Sequence, residues 1–182
     1  MKFLLCRRLG RYILFRILII SLLFITGCSK QFVQIEIQTI QAKQILDFAL
    51  SQNGKPYVWG GQDPNIGFDC SGLIVWACKQ VFPKCKFLWD GKLVDDVDVE
   101  HLYKENCKIV DLTETVPGDL VFFANSDNII DHVGFLISYS GDKVEIIHAS
   151  GGLGKVVIEI WQIGEVIRGG HIEKFGRLKI IL

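Results

Sequence analysis

The chain has 182 residues, with 20 basic and 20 acidic side chains, four histidines and six cysteines. Residues 1–28 hold five basic residues (Lys2, Arg7, Arg8, Arg11 and Arg16) and no acidic one, so the remainder carries a net charge of −5. A mildly acidic chain without a Lys/Arg cluster excludes nucleic acid as a partner and excludes charge-driven attachment to anionic lipid.

Behind the N-terminal basic residues, Ile17 to Thr26 is an uncharged run of ten. Ten residues are too few to span a bilayer and suit the core of a signal peptide. The run ends in Ile25-Thr26-Gly27-Cys28, which resembles the lipobox of bacterial lipoproteins. That resemblance implies cleavage after Gly27 and lipid on Cys28. An uncleaved anchor, or a plain signal peptide with a chance cysteine, are the alternatives. The predicted organisation is a leader over 1–27, a lipidated cysteine and short tether over 28–40, and one domain over 41–182. Its length is enough for one sizeable core, and there is no internal repeat.

Within the domain, Ala42, Ile45, Leu46, Ala49 and Leu50 recur at helical spacing, and Asn53-Gly54 followed by Pro56 ends the helix. A loop leads to a second helix from about Cys70 to Phe82, capped by Asp69 and stopped by Pro83. Its nearly continuous apolar face makes it a buried central helix. Residues 84–111 are mixed, with a short helix over Val99–Lys104 capped by Asp98. After the Pro117-Gly118-Asp119 turn the pattern becomes strands: Leu120–Ala124, His132–Ser138, Lys143–His148, Val156–Trp161 and Phe175–Ile181. Gly141-Asp142 is the hairpin turn between the second and third. Helices first and an antiparallel sheet second make an α+β domain.

Cys70 sits where a polar turn becomes a helix. Unpaired N–H groups and the helix dipole at that point favour a thiolate; the plainer reading is a small buried cysteine. A nucleophile needs a base and the base an orienting group. His101 reads as structural and His171 as a loop histidine. His132 opens one strand and His148 closes the next. If these strands are neighbours, the two rings meet, but His132 is nine residues before Gly141 and His148 six after Asp142, so a bulge or stagger is required. The Tyr57 hydroxyl either faces a developing oxyanion or packs against the helix. Cys85 and Cys107 are the candidate pair for a disulfide. No His/Cys spacing resembles a zinc site, and no metal or organic cofactor is implied.

Five motifs occur in order: Pro56-Tyr57-Val58-Trp59-Gly60-Gly61, Phe68-Asp69-Cys70-Ser71-Gly72, Pro117 to Phe123, His132-Val133-Gly134, and Ile147-His148-Ala149-Ser150. Together they resemble the NlpC/P60 family of cell-wall cysteine peptidases, from about Gln41 to Lys179. The resemblance implies a papain-like fold, with the cysteine at a helix start packed on an antiparallel sheet. It makes Cys70 the nucleophile, His132 the general base, His148 the orienting third residue and Tyr57 an oxyanion neighbour. Asp69 and Ser71 would frame the cysteine and contact substrate, or Asp69 serves only as the cap. A neutral histidine in the third position orients the base without the charge stabilisation of a carboxylate.

The implied activity is hydrolysis of peptide bonds in peptidoglycan stem peptides or cross-links by a monomer. The lipid on Cys28 would hold it in the cell envelope, at the outer membrane facing the periplasm if the cell has two membranes. An amidase or acyltransferase on the same fold, and a silent cell-wall-binding lipoprotein, are the competing readings.

Overall fold

The computed structural model describes residues 32–182. The expected leader and Cys28 lie outside the described residues. The described chain contains three helices and a large antiparallel sheet. In order these are β1 (Ile35–Glu36), α1 (Thr39–Leu50), β2 (Gln62–Asp63), β3 (Gly67–Phe68), α2 (Cys70–Val81), β4 (Phe87–Trp89), β5 (Lys92–Val94), α3 (Val99–Glu105), β6 (Cys107–Val110), β7 (Leu120–Ala124), β8 (Ile130–Ser140), β9 (Lys143–Ser150), β10 (Lys155–Gln162) and β11 (His171–Ile180). No described helix is long and apolar enough to cross a membrane.

The main sheet runs β1-β11-β7-β8-β9-β10, with β6 also paired to β11. All five residues of β7 are buried, because this central strand is covered on both faces. Alternation sends Leu120 and Phe122 to a core shared with α1 and α2, and Val121 and Phe123 to a second core with Leu136, Ile146, Trp161 and Phe175. Helix α1 buries Ala42, Ile45, Leu46 and Ala49, the residues whose spacing predicts the helix. Helix α2 buries Leu73, Ile74, Val75, Ala77 and Cys78 and ends at Val81, two residues before Pro83.

Three differences from the expected layout have simple causes. Ile35 pairs with Ile180 and Ile37 joins the core at 3% exposure, so the second half of the expected 28–40 tether belongs to the sheet. The mixed 84–111 region contributes a strand, β6, which pairs along Phe175–Leu178. Strand β11 starts at His171 instead of Phe175, because His171 and Ile172 pair with Ala124 and Phe123 of β7. The expected bulge is present. Pairing along β8 and β9 shifts between Leu136 and Ser138, leaving Ile137 as the extra residue.

The Pro117-Gly118-Asp119 turn is held from two sides. Gly118 has φ +95°, and a Cβ there would lie 2.2 Å from the Ala42 carbonyl oxygen of α1. Asp119, 1% exposed, accepts the Val116 N–H at 2.8 Å and two bonds from Arg177 on β11 at 3.1 and 2.9 Å. This bidentate pair joins the start of β7 to β11. Asp119→Ala removes two charge-assisted bonds and the acceptor of the Val116 N–H, leaving Arg177 with Glu36 at 3.6 Å, and is expected to cost about 2 kcal/mol of stability. Urea unfolding should show the lower midpoint with an unchanged slope.

Candidate active site

Cys70 is the first residue of α2 and is 9% exposed. The carboxylate of Asp69 organises the backbone around it. One oxygen accepts the Gly72 N–H at 2.6 Å and the Ser71 hydroxyl at 3.2 Å, and the other accepts the Gly60 N–H at 2.8 Å. The cap thus ties the loop after Trp59 to the helix start. Gly72 is required by the same closeness, since a Cβ there would stand 2.1 Å from the Gly61 carbonyl oxygen. Asp69 and Ser71 are therefore engaged with each other and with backbone. Tyr57 packs against the core that includes Cys70, and burial, then Cys70 and Asp69, raises its phenol. Its ring packs over Gly151.

The two strand histidines meet. His132 Nε2 and His148 Nδ1 are 2.6 Å apart, because the bulge at Ile137 brings the start of β8 opposite the end of β9. A Cβ on Gly134 would lie 2.9 Å from the His148 Cβ, so the glycine makes room for that side chain. Behind His148, its Nε2 stands 2.8 Å from a Glu159 carboxylate oxygen, and Arg168 Nη2 bonds that same oxygen at 2.5 Å. Arg168 also lies over the Trp161 ring, 5.5 Å from its centroid. His132, His148, Trp161 and Arg168 line a cleft of about 210 Å³.

Hydrogen-bond polarity along this row follows from its end. Burial raises the Glu159 carboxyl, but the bonds from Arg168 and His148 outweigh it and lower it overall. An ionised carboxylate only accepts. Neutral His148 must then donate from Nε2 and accept at Nδ1, and His132 must donate from Nε2. The lone pair of His132 is thereby placed on Nδ1.

The thiol departs from the expectation of a helix-stabilised thiolate. Burial first and Asp69 second push Cys70 up to about 11, against the backbone N–H groups of Ser71, Val133 and Cys70 that favour the anion. His132 is pushed down to about 3, by burial and then by His148 and Arg168. Burial also lowers His148, with Glu159 opposing. Thiol and imidazoles are all neutral at pH 7, because desolvation outweighs a single helix start.

The other expected groups are elsewhere. His101 bonds Asp98 at 2.7 Å and stacks on Trp89 at 4.1 Å, and His171 faces Glu173 at 3.3 Å. Among the described residues, Asp90, His101 and Glu105 gather within 4.8 Å. The Glu105 carboxylate there accepts the Asp90 and Gly91 amides and closes the β4–β5 hairpin. The expected Cys85–Cys107 pair is not formed. Cys107 donates to the Tyr103 carbonyl at 3.2 Å, and Cys85 lies beside Cys78. Glu159 and Arg168 escape the sequence reading. The available signal was Glu159 as the one acidic residue inside the apolar β10.

The NlpC/P60 family model matches residues 54–164, which include Cys70, both strand histidines and Glu159. The chain belongs to the NlpC/P60 family. It is 39% identical over 92 residues to the probable endopeptidase YafL of Escherichia coli, covering 50% of this chain and 32% of that protein. It is 35% identical over 95 residues to the bifunctional muramidase/DL-endopeptidase CwlT of Bacillus subtilis, covering 51% of this chain and 26% of that protein. The matches thus span about a third or less of these relatives' own length. A lipoprotein-like NLP/P60 family structure from Staphylococcus aureus superposes with a TM-score of 0.56 at 24% identity, covering 82% of this chain and 45% of that one. It shows the shared papain-like fold.

A neutral Cys70 has a measurable consequence. Its alkylation by iodoacetamide, followed on the Cys70 peptide by mass spectrometry, should rise about tenfold per pH unit from pH 7 to pH 10. A plateau below pH 7 would show a preformed thiolate instead.

Proposed function

We propose that this protein is a cysteine endopeptidase that hydrolyses peptide bonds in peptidoglycan stem peptides or cross-links. The observation that carries this reading is the row His132–His148–Glu159, together with the backbone N–H of Val133, the residue after His132, which bonds the Cys70 sulfur. The endopeptidase names of the family relatives support the substrate class. Anchorage through lipid on Cys28, and an envelope location, rest on the sequence alone.

With both groups neutral at rest, proton transfer accompanies attack. The Nδ1 of His132 takes the Cys70 proton as the sulfur adds to the scissile carbonyl. The Cys70 backbone N–H, at the open end of α2, and the Tyr57 hydroxyl face the developing oxyanion; one such donor contributes about 2.7–4 kcal/mol to lowering the barrier. The imidazolium formed on His132 is stabilised through His148 by Glu159. His132 then returns the proton to the leaving amine, and water releases the acyl-enzyme. The sequence of roles is that of a triad, with the carboxylate one residue further out.

The direct test is digestion of purified peptidoglycan and defined stem peptides by the full chain in detergent, beside Cys70→Ala. New peptide fragments made only by the intact thiol are expected, and their masses name the bond cut. No cleavage by a folded protein with reduced Cys70 would transfer the reading to an acyltransferase or a binding protein.

Glu159 acts as a positioning residue in this mechanism. Glu159→Gln should lower kcat about 10- to 100-fold, by analogy with loss of the carboxylate that orients a metal-bound histidine, with KM unchanged. Removing the negative charge disfavours the imidazolium, so the acid limb of the pH profile should move to lower pH. A residue that merely holds β10 in place would leave that limb where it is.

A further inference from the structure

Helix α2 carries a second, unused thiol near its far end. Cys78 and Cys85 place their sulfurs 3.7 Å apart, both side chains buried at 0% and 1% exposure. Both are free thiols, as are Cys70 and Cys107. Cys107 is committed to the Tyr103 carbonyl. Cys70 is eight residues away along α2, about 12 Å at 1.5 Å per residue, and cannot reach the pair. The turn between the two cysteines is already fixed, since the Phe82 N–H donates to the Cys78 carbonyl at 2.9 Å and the Cys85 N–H to the Phe82 carbonyl at 3.0 Å. Lys86 then exchanges two backbone bonds with Ile181, at 2.8 and 3.0 Å.

We infer that Cys78 and Cys85 form an intramolecular disulfide as the chain folds, stapling the end of α2 to the segment that pairs with Ile181. A disulfide needs sulfurs about 2.05 Å apart, so the two must close by roughly 1.7 Å, within the reach of side-chain rotation on a fixed turn. The oxidant is a disulfide of low molecular weight or of a dithiol oxidoreductase, written RSSR. Either sulfur can donate to the other at 3.7 Å, so either can attack first. With Cys85 attacking, its thiolate forms a mixed disulfide and releases the first RS⁻. Cys78 loses its proton and displaces the second RS⁻, closing the Cys78–Cys85 bond. Two electrons pass from the cysteine sulfurs to RSSR, and the two thiol protons end on two RSH. Full burial of both sulfurs places this exchange before the turn closes over them. Such an oxidant is present in the exported compartment to which the leader would direct the chain, but the chemistry is testable without that reading.

The test refolds the reduced full chain in a mixed glutathione buffer, with oxidised glutathione as the probe, then traps free thiols with iodoacetamide. The expected product links the Cys78 and Cys85 peptides, lighter by two hydrogens, with Cys6, Cys28, Cys70 and Cys107 alkylated. Closing so short a loop should raise Tm by about 5–10 °C over the reduced protein. That redox-dependent shift should vanish in C78S, C85S and the double variant, while peptidoglycan cleavage, which uses neither thiol, is kept. Alkylation of both Cys78 and Cys85 after oxidising refolding overturns the inference. So does a bridge from Cys78 or Cys85 to any of the other four cysteines, or a Tm shift that survives in the double variant.

Discussion

One extra residue in the β8–β9 hairpin sets the site. A two-residue turn at Gly141-Asp142 and a regular ladder would put His132 and His148 out of step, since one lies nine and the other six positions from the turn. The irregularity at Ile137 moves the pairing by one residue. A slip of one residue normally sends a side chain to the opposite face of a sheet. Here it is absorbed within the strand, so that both rings come to the same edge. Gly134 completes the arrangement by leaving the space that the His148 side chain fills. The site therefore depends on backbone count and on an absent side chain as much as on the histidines.

The carboxylate of Asp69 does the corresponding work on the other side. It caps α2, holds the Gly60 loop and accepts the Ser71 hydroxyl. Its negative charge also raises the Cys70 thiol. The residue that best fixes the position of the Cys70 sulfur thus opposes its ionisation. Burial adds to the same effect. Together they outweigh the helix dipole, which contributes about 0.3–1 kcal/mol for a nearby charge and falls off within one turn. A neutral resting thiol is consistent with a general base that acts in the transition state rather than with a stored ion pair.

Much of this architecture was legible from spacing. Helix α2 and its Asp69 cap, the short helix capped by Asp98, and strand β7 follow from local rules of periodicity and capping. What escaped was non-local. Strand β6 is only four residues long and has a mixed pattern, Cys107-Lys108-Ile109-Val110, and it exists because β11 offers it an edge. Ile35 pairs with Ile180 at the opposite end of the described chain. The Cys85–Cys107 expectation rests on their flanking a variable-looking stretch, which says nothing about which sulfur a buried turn brings near. The state of the thiol was missed for a similar reason, because desolvation is a property of the packed fold.

Glu159 shows how a site member hides from motif reading. In the proposed mechanism a histidine in the third position would by itself leave the base without carboxylate support, since a neutral ring can orient its neighbour but cannot balance a positive charge. In this fold the carboxylate sits on the next strand over. Val157 pairs with His148, and Glu159 lies two residues further along β10, on the same face of the strand. Its bond to His148 Nε2 fixes that ring's tautomer, which fixes the donor at His132 Nε2 and leaves Nδ1 free. Arg168 keeps the carboxylate ionised so that the polarity cannot reverse. The histidine thus transmits a negative charge it does not carry. In the proposed mechanism the direction of proton flow is set at Glu159, two hydrogen bonds behind His132.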